Sequence, residues 1–238
     1  MTLCSIKRMF QTPVWNNYTK NFMAYTETVD RILDAAEILF AEKGFSETSL
    51  RMITSQAKVN LAAVNYHFGS KNALIQAVFS RFLTPLNDLM VEGLKANKWG
   101  EDGGETPSIE DVLSLYTKSL LKIPTRNENG VSIFMRLLGL AYTQSQGHLR
   151  KYLEDTYSKT FWPFLSLVKQ ITPELSTTER FWRTQFVIGS MAFTMSSIQP
   201  LTDILENKAG SEANPEQVID FLVPFLAAGL SATPSHLS

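Results

Sequence analysis

TSLRMITSQAKVNLAAVNYHFGSK, Thr48 to Lys71, reads as two short helices around a tight turn. Leu50, Ile53 and Ala57 recur at helical spacing, so Ser49 to Ala57 can bury one face. Lys58, Val59 and Asn60 form the break. Asn60 is a good N-cap, because its side-chain oxygen accepts from the exposed N–H groups of the next turn. Leu61 to His67 is then a second helix of about two turns, with Val64 and Phe68 directed back to the first. Two helices joined by a turn of this length form the helix-turn-helix unit, whose second helix enters the DNA major groove.

The outward face of that second helix suits the task. Ala62 and Ala63 are small and allow close approach to base edges, and Asn65 can pair bidentately with adenine. Tyr66 and His67 can reach phosphates or bases. Gly69-Ser70-Lys71 opens a long helix with Ser70 as its cap, and a helix N-terminus beside a lysine favours a phosphate. The bland alternative is a plain helical hairpin with Tyr66 and His67 as half-buried packing residues.

The whole string resembles the DNA-binding domain of the TetR family of one-component repressors. The family's order is a helix, a Gly-aromatic pair, a Thr-Thr-like cap, a helix-turn-helix and an L-Y-Y-H-F-x-S-K run. Here these are ILDAAEILFAEKGF (Ile32 to Phe45), Thr48-Ser49, Ile53, Ala57, Val59, and Val64-Asn65-Tyr66-His67-Phe68-Gly69-Ser70-Lys71. The resemblance covers about residues 27 to 80. Two positions depart from it. Lys58 stands where the family has Gly, so a left-handed turn residue there would cost roughly 1 kcal/mol. Asn65 replaces the first Tyr of the run. Within the family, VNLAAVNYHFGSK is most similar to the PsrA-type regulators, which respond to long-chain fatty acids. The resemblance implies phosphate contacts from Thr48, Ser49, Arg51, Tyr66, His67 and Lys71. It implies base contacts from Leu61, Ala62, Ala63 and Asn65, with Asn60 capping the helix that carries them. It also implies a homodimer on double-stranded DNA with a palindromic operator.

Composition bounds the remainder. The chain has 238 residues and 44% apolar content, enough for a large core. Net charge is −1, so composition does not announce nucleic acid. Residues 1–100 hold 11 basic against 8 acidic side chains, and residues 101–238 hold 11 against 15. The segment Glu27 to Lys71 has six acids against five bases, so the motif carries the DNA reading and the charge does not. One cysteine, Cys4, permits no internal disulfide and fits a reducing cytoplasm. His67, His148 and His236 lie far apart, with no Cys/His cluster at metal-ligand spacing, so neither metal nor cofactor is expected. No apolar run reaches the roughly 18 residues of a membrane span.

Taken in order, residues 1–25 read as a tail or an over-long start, since Pro13 and Asn16-Asn17 interrupt any helix. The other reading is an arm whose Lys7, Arg8 and Lys20 touch DNA backbone. Residues 26–72 form the helix-turn-helix domain. Its first helix is capped by Thr26, buries Ile32, Leu33, Ala36, Leu39 and Phe40, and stops at Gly44. Residues 73–238 form a ligand-binding and dimerisation domain. Pro85 and Pro163 are expected to kink or break their helices. Ser108 with Asp111, Ser176 with Glu179, and Asn214 with Gln217 read as capping pairs, and Leu201 to Glu212 is ambiguous. No strand alternation appears. The expectation is an all-α fold of about nine helices.

The leading functional reading is a DNA-binding repressor released from its operator by a small hydrophobic ligand. The resemblance suggests a long-chain fatty acid or acyl-CoA and control of fatty-acid metabolism genes. Candidate ligand contacts are Phe82, Phe134, Met135, Phe161, Trp162, Phe186 and Met191, with Arg136 and Arg183 as cations for a carboxylate. The long apolar stretches at 181–197 and 215–230 suggest a dimer through the last two long helices. The alternatives are a regulator answering to an unrelated hydrophobic compound or a protein partner, and an all-helical enzyme. Against the enzyme, no nucleophile stands with a plausible base and orienter.

Overall fold

The computed structural model describes residues 13–100, 104–144 and 147–234, with side chains from residue 26 onward except 159–162. Ten helices occur among them: α1 Pro13–Glu47, α2 Leu50–Ala57, α3 Leu61–Phe68, α4 Lys71–Ala96, α5 Ile109–Leu121, α6 Gly130–Thr143, α7 Gly147–Ile171, α8 Thr177–Ser196, α9 Ile198–Ala209 and α10 Pro215–Ser231. No strand occurs among the described residues. The fold is all-α, with one helix more among the described residues than the nine or so the sequence suggested. The addition is α9, over the stretch that periodicity left ambiguous. Pro200 sits in its first turn, where no intrahelical donor is lost.

The chain divides into two compact units, Met1–Ala77 and Val78–Ser238. In the first, α1 packs on α2 and α3, and α2 packs on α3. Ile32, Ala36, Phe40, Phe45, Ile53 and Val64 form its core, with the Phe40 and Phe45 rings 5.5 Å apart. Each such large apolar side chain contributes about 1.5–3 kcal/mol on burial. Gly44, at φ 83 and ψ 169, breaks α1 as expected. The start of α1 differs from expectation. The backbone is helical from Pro13, so Thr26 lies within the helix and does not cap it. Proline is tolerated in a first turn, and the two asparagines lower helix propensity without blocking it. Lys7 and Arg8 lie outside the described residues, as does the side chain of Lys20.

In the second unit, α6 packs along α8, and α10 packs on both α5 and α8. The hydroxyls of Ser80 and Thr84 on α4 bond those of Tyr152 and Tyr157 on α7, at 2.6 and 2.8 Å. Leu94, Val112, Leu167 and Val168 form a small core beneath Trp99 and Phe164. Pro85, Pro163 and Pro224 each sit inside a helix without ending it. A proline removes one donor, and the bonds of its neighbours carry the helix past it. Ser108 with Asp111 and Asn214 with Gln217 form complete capping boxes. Ser176 makes only half of one. Its hydroxyl accepts from the Glu179 N–H at 3.1 Å, while the Glu179 carboxylate pairs with Arg183.

Candidate functional site

The helix-turn-helix is held by caps at every joint. Ser49 caps α2 by accepting from the Met52 N–H at 3.2 Å, and Asn60 caps α3 by accepting from Ala63 at 2.8 Å. Ser70 accepts from the Ala73 N–H at 3.1 Å and so caps α4, as the sequence suggested. Between α2 and α3, Lys58 adopts φ 54, ψ 45, the left-handed conformation expected of its position. The Val59 N–H returns to the Thr54 carbonyl at 3.0 Å and completes the turn.

Val64 is fully buried and orients α3. Leu61, Ala62, Asn65 and Tyr66 are exposed together, with Tyr66 79% open to solvent. Ala63 and His67 are half-buried on the flank. The outward face is therefore Leu61, Ala62, Asn65 and Tyr66, and Ala63 is a lesser member of it than its size suggested. The hairpin alternative fails for Tyr66, which packs against little beyond the edge of the His67 ring, 5.1 Å away. Arg51 is exposed on α2. Lys71 donates to the Ser46 carbonyl at 3.3 Å, which holds its ammonium near the start of α4.

Thr48 is a correction. It is 0% exposed, and its hydroxyl shares one proton between the carbonyls of Gly44, at 2.8 Å, and Leu39, at 3.0 Å. That side chain cannot reach a phosphate. It ties the end of α1 to the start of α2, which is a positioning role.

The candidate ligand residues do not converge on one place. Phe82 and Phe134 are buried and stacked at 5.0 Å, with Phe79 set against Phe134 at 6.4 Å, so they fill core and enclose nothing. Met191 is buried, and Phe186 is largely exposed. Phe161 and Trp162 lie outside the described side chains. Arg183 donates to the carbonyls of Leu230, Ala232 and Thr233 at 3.0, 2.6 and 2.9 Å and to Glu179 at 2.7 Å. Its terminal N–H groups serve the end of α10 and Glu179, and not the carboxylate of a ligand.

Met135 and Arg136 do border a groove, one of about 510 Å³ between α6 and α8. Ser132 donates to the Ser196 carbonyl at 3.0 Å, so the two helices run antiparallel. One end of the groove therefore holds Arg136 and Ser196, and the other Tyr142, Thr143 and Gln185. Its middle is lined by Gly139 and Gly189, where an added Cβ would meet nothing within 4 Å. Among the described residues the lining has one cation and no acid. Sequence reasoning missed Gly139, Tyr142, Gly189 and Phe193. The available signal was a glycine inside each of two strongly apolar helices, a choice that costs about 1 kcal/mol of helix propensity. No helix among the described residues is long and apolar enough to cross a membrane, and no group of three potential metal ligands occurs among them.

Residues 32–78 match the family described as bacterial regulatory proteins, tetR family. Residues 114–229 match the Tetracyclin repressor-like C-terminal domain. The chain belongs to the TetR family. It is 44% identical over 55 residues to the probable HTH-type transcriptional regulator YttP of Bacillus subtilis, covering 23% of this chain and 27% of that one. It is 44% identical over 64 residues to the HTH-type transcriptional repressor Rv3405c of Mycobacterium tuberculosis, covering 27% and 34%. These matches span about a third or less of either relative. The TetR fold extends further. A TetR-like transcriptional regulator from Rhodococcus sp. RHA1 superposes with TM-score 0.56 at 17% identity, over 87% of this chain and 97% of that one. The fatty acid degradation regulator FadR from Bacillus halodurans gives 0.52 at 15%, over 86% and 95%.

Proposed function

We propose that this TetR-family chain is a homodimeric transcriptional repressor that reads a palindromic operator through α3 and leaves it when a hydrophobic anion binds its second unit. The observation that carries the DNA reading is the outward face of α3, where Asn65 and Tyr66 stand exposed between two capped joints. Ser49, Arg51, Tyr66, His67 and Lys71 hold phosphates in this reading, and Leu61, Ala62 and Asn65 meet bases. The proposed activity is binding, with no chemical step.

Six exposed rings support the dimer: Phe181, Trp182, Phe186 and Phe193 on α8, and Phe221 and Phe225 on α10. They are between 55% and 72% open. At roughly 150–250 Å² per aromatic side chain, they leave about 600–900 Å² of ring surface on each copy. A standard interface buries about 800 Å² per partner.

The ligand proposed is a long-chain fatty acid or its acyl thioester, for which the support is the PsrA-type resemblance and the α6–α8 groove, with Arg136 as its anchor. Moving a two-state equilibrium from 1:99 to 99:1 needs roughly 10⁴-fold differential affinity, about 5.5 kcal/mol. An acyl chain at about 0.8 kcal/mol per buried CH₂ supplies that if the site exists mainly in the released state. The test is operator binding titrated with oleate, its coenzyme A ester and short-chain controls below their micelle concentrations. Release by the long chains alone is expected. Equal response to the short chains overturns the lipid assignment and leaves the repressor reading in place.

A further inference from the structure

We propose that α3 recognises thymine by its methyl group, through Leu61 and Ala62, and that the base pairs beneath this helix are A·T; the proposal rests on the DNA reading above. Residues 61–68, LAAVNYHF, contain no Lys, Arg, Asp or Glu. Guanine presents two acceptors in the major groove, and its usual specific partner is an Arg or Lys that reaches both. α3 has neither. Cytosine presents a donor there, and its usual partner is a carboxylate. α3 has none. What remains on the outward face, beside the Tyr66 phenol, is one amide and two apolar side chains. Asn65 matches the adjacent donor and acceptor of adenine. Leu61 and Ala62 match the C5-methyl group of thymine, the apolar mark on that groove's edge.

Leu61 is not needed to seat α3. Val59 and Val64 stand at the two positions of a hydrophobic staple, one before the cap and one four residues into the helix, and Val64 is fully buried. The Asn60 side chain is engaged by the Ala63 N–H at 2.8 Å, so it serves the helix and not a base. Leu61, the first residue of α3, is left 39% open, and Ala62 is exposed beside it. Asn65 lies one turn further along the same face. Four residues rise about 6 Å and stacked base pairs are about 3.4 Å apart, so Leu61 and Asn65 address pairs about two steps apart. A recognition helix meets base edges with its N-terminal residues, which is where Leu61 and Ala62 stand. The cations nearest in sequence lie off the helix. Arg51 is on α2, Lys58 in the turn and Lys71 at the start of α4, positions suited to phosphates.

The test uses the full chain to select duplexes from a random-sequence library. The selected site is then rebuilt with single thymines replaced by uracil, which lacks only the methyl group. One thymine per half-site should be sensitive, each replacement weakening binding about fourfold, the worth of one buried methyl group. Leu61→Ala should bind the thymine and uracil duplexes nearly equally while keeping its preference for adenine at the position read by Asn65. Leu61→Met, which keeps an apolar side chain there, should retain the discrimination. Selected sites should lack G·C pairs within about two steps of that thymine. Guanine enriched there, with 7-deazaguanine weakening binding about tenfold or more as the loss of a bidentate contact would, overturns the proposal. Uracil tolerated at every position, or discrimination undiminished in Leu61→Ala, also overturns it and leaves the repressor reading in place. A library from which no sequence is enriched sinks both.

Discussion

Arg183 donates to the Leu230 carbonyl at 3.0 Å, so a side chain of α8 closes the end of α10. The last carbonyls of a helix have no intrahelical donors. A guanidinium supplies several at once and places positive charge at the negative end of the helix dipole. Glu179, one turn earlier on α8, holds the other side of the fork at 2.7 Å. Arg183→Gln should cost about 1.5–3 kcal/mol, the range for hydrogen bonds to charged groups. Urea denaturation should show the loss, and hydrogen exchange should show it concentrated in the last turn of α10. A variant as stable as the unaltered chain would mean that solvent caps this helix equally well.

Lys58→Gly should stabilise the first unit by about 1 kcal/mol. The left-handed conformation at φ 54 crowds the Cβ of any L-residue, and glycine relieves that. The denaturation midpoint should rise with an unchanged denaturant slope. A fall would mean that glycine's extra freedom in the unfolded chain outweighs the relieved strain.

Asn65 and Thr48 should separate specificity from architecture. Asn65→Ala should cost roughly 1–3 kcal/mol at one base pair per half-site. Thr48→Val leaves the carbonyls of Leu39 and Gly44 without their donor, so it should lower stability by about 1–3 kcal/mol without altering sequence preference. Lys71→Ala should weaken binding to every sequence and flatten its salt dependence. Binding to single-base operator variants at two salt concentrations reads all three. Uniform weakening by Asn65→Ala would remove its base-reading role.

Asp111 should make α5 acid-sensitive. Hydrogen bonds from the Ser108 side chain and then its backbone N–H hold the carboxyl below its ordinary 3.8. A depressed carboxylate stabilises the fold above its unfolded pKa, and that contribution is lost as pH falls through the lower folded value. Unaltered protein and Asp111→Asn should therefore converge in stability below pH 3.8, and differ at neutral pH. A difference that persists unchanged in acid would assign the effect to the amide's geometry and not to charge.

Short-range chemistry was legible in the sequence. The caps at Asn60, Ser70, Ser108 and Asn214, the break at Gly44 and the left-handed turn at Lys58 involve groups within a few residues of each other. Residue type nearly determines such contacts. The spacing of Val64 also announced which face of α3 turns inward. Tertiary packing decided what type and spacing leave open. Thr48 has the chemistry of a phosphate ligand, but its hydroxyl lies against two carbonyls of α1. Arg183 has the chemistry of a carboxylate anchor, yet its nearest acceptors come from residues 230–233, some fifty positions along the chain. Phe134 and Phe186 are alike in sequence, and one is stacked in the core while the other faces outward. A single apolar residue does not encode which neighbour will cover it. That depends on helices brought together from distant parts of the chain, and a helical period identifies a buried stripe without naming what buries it.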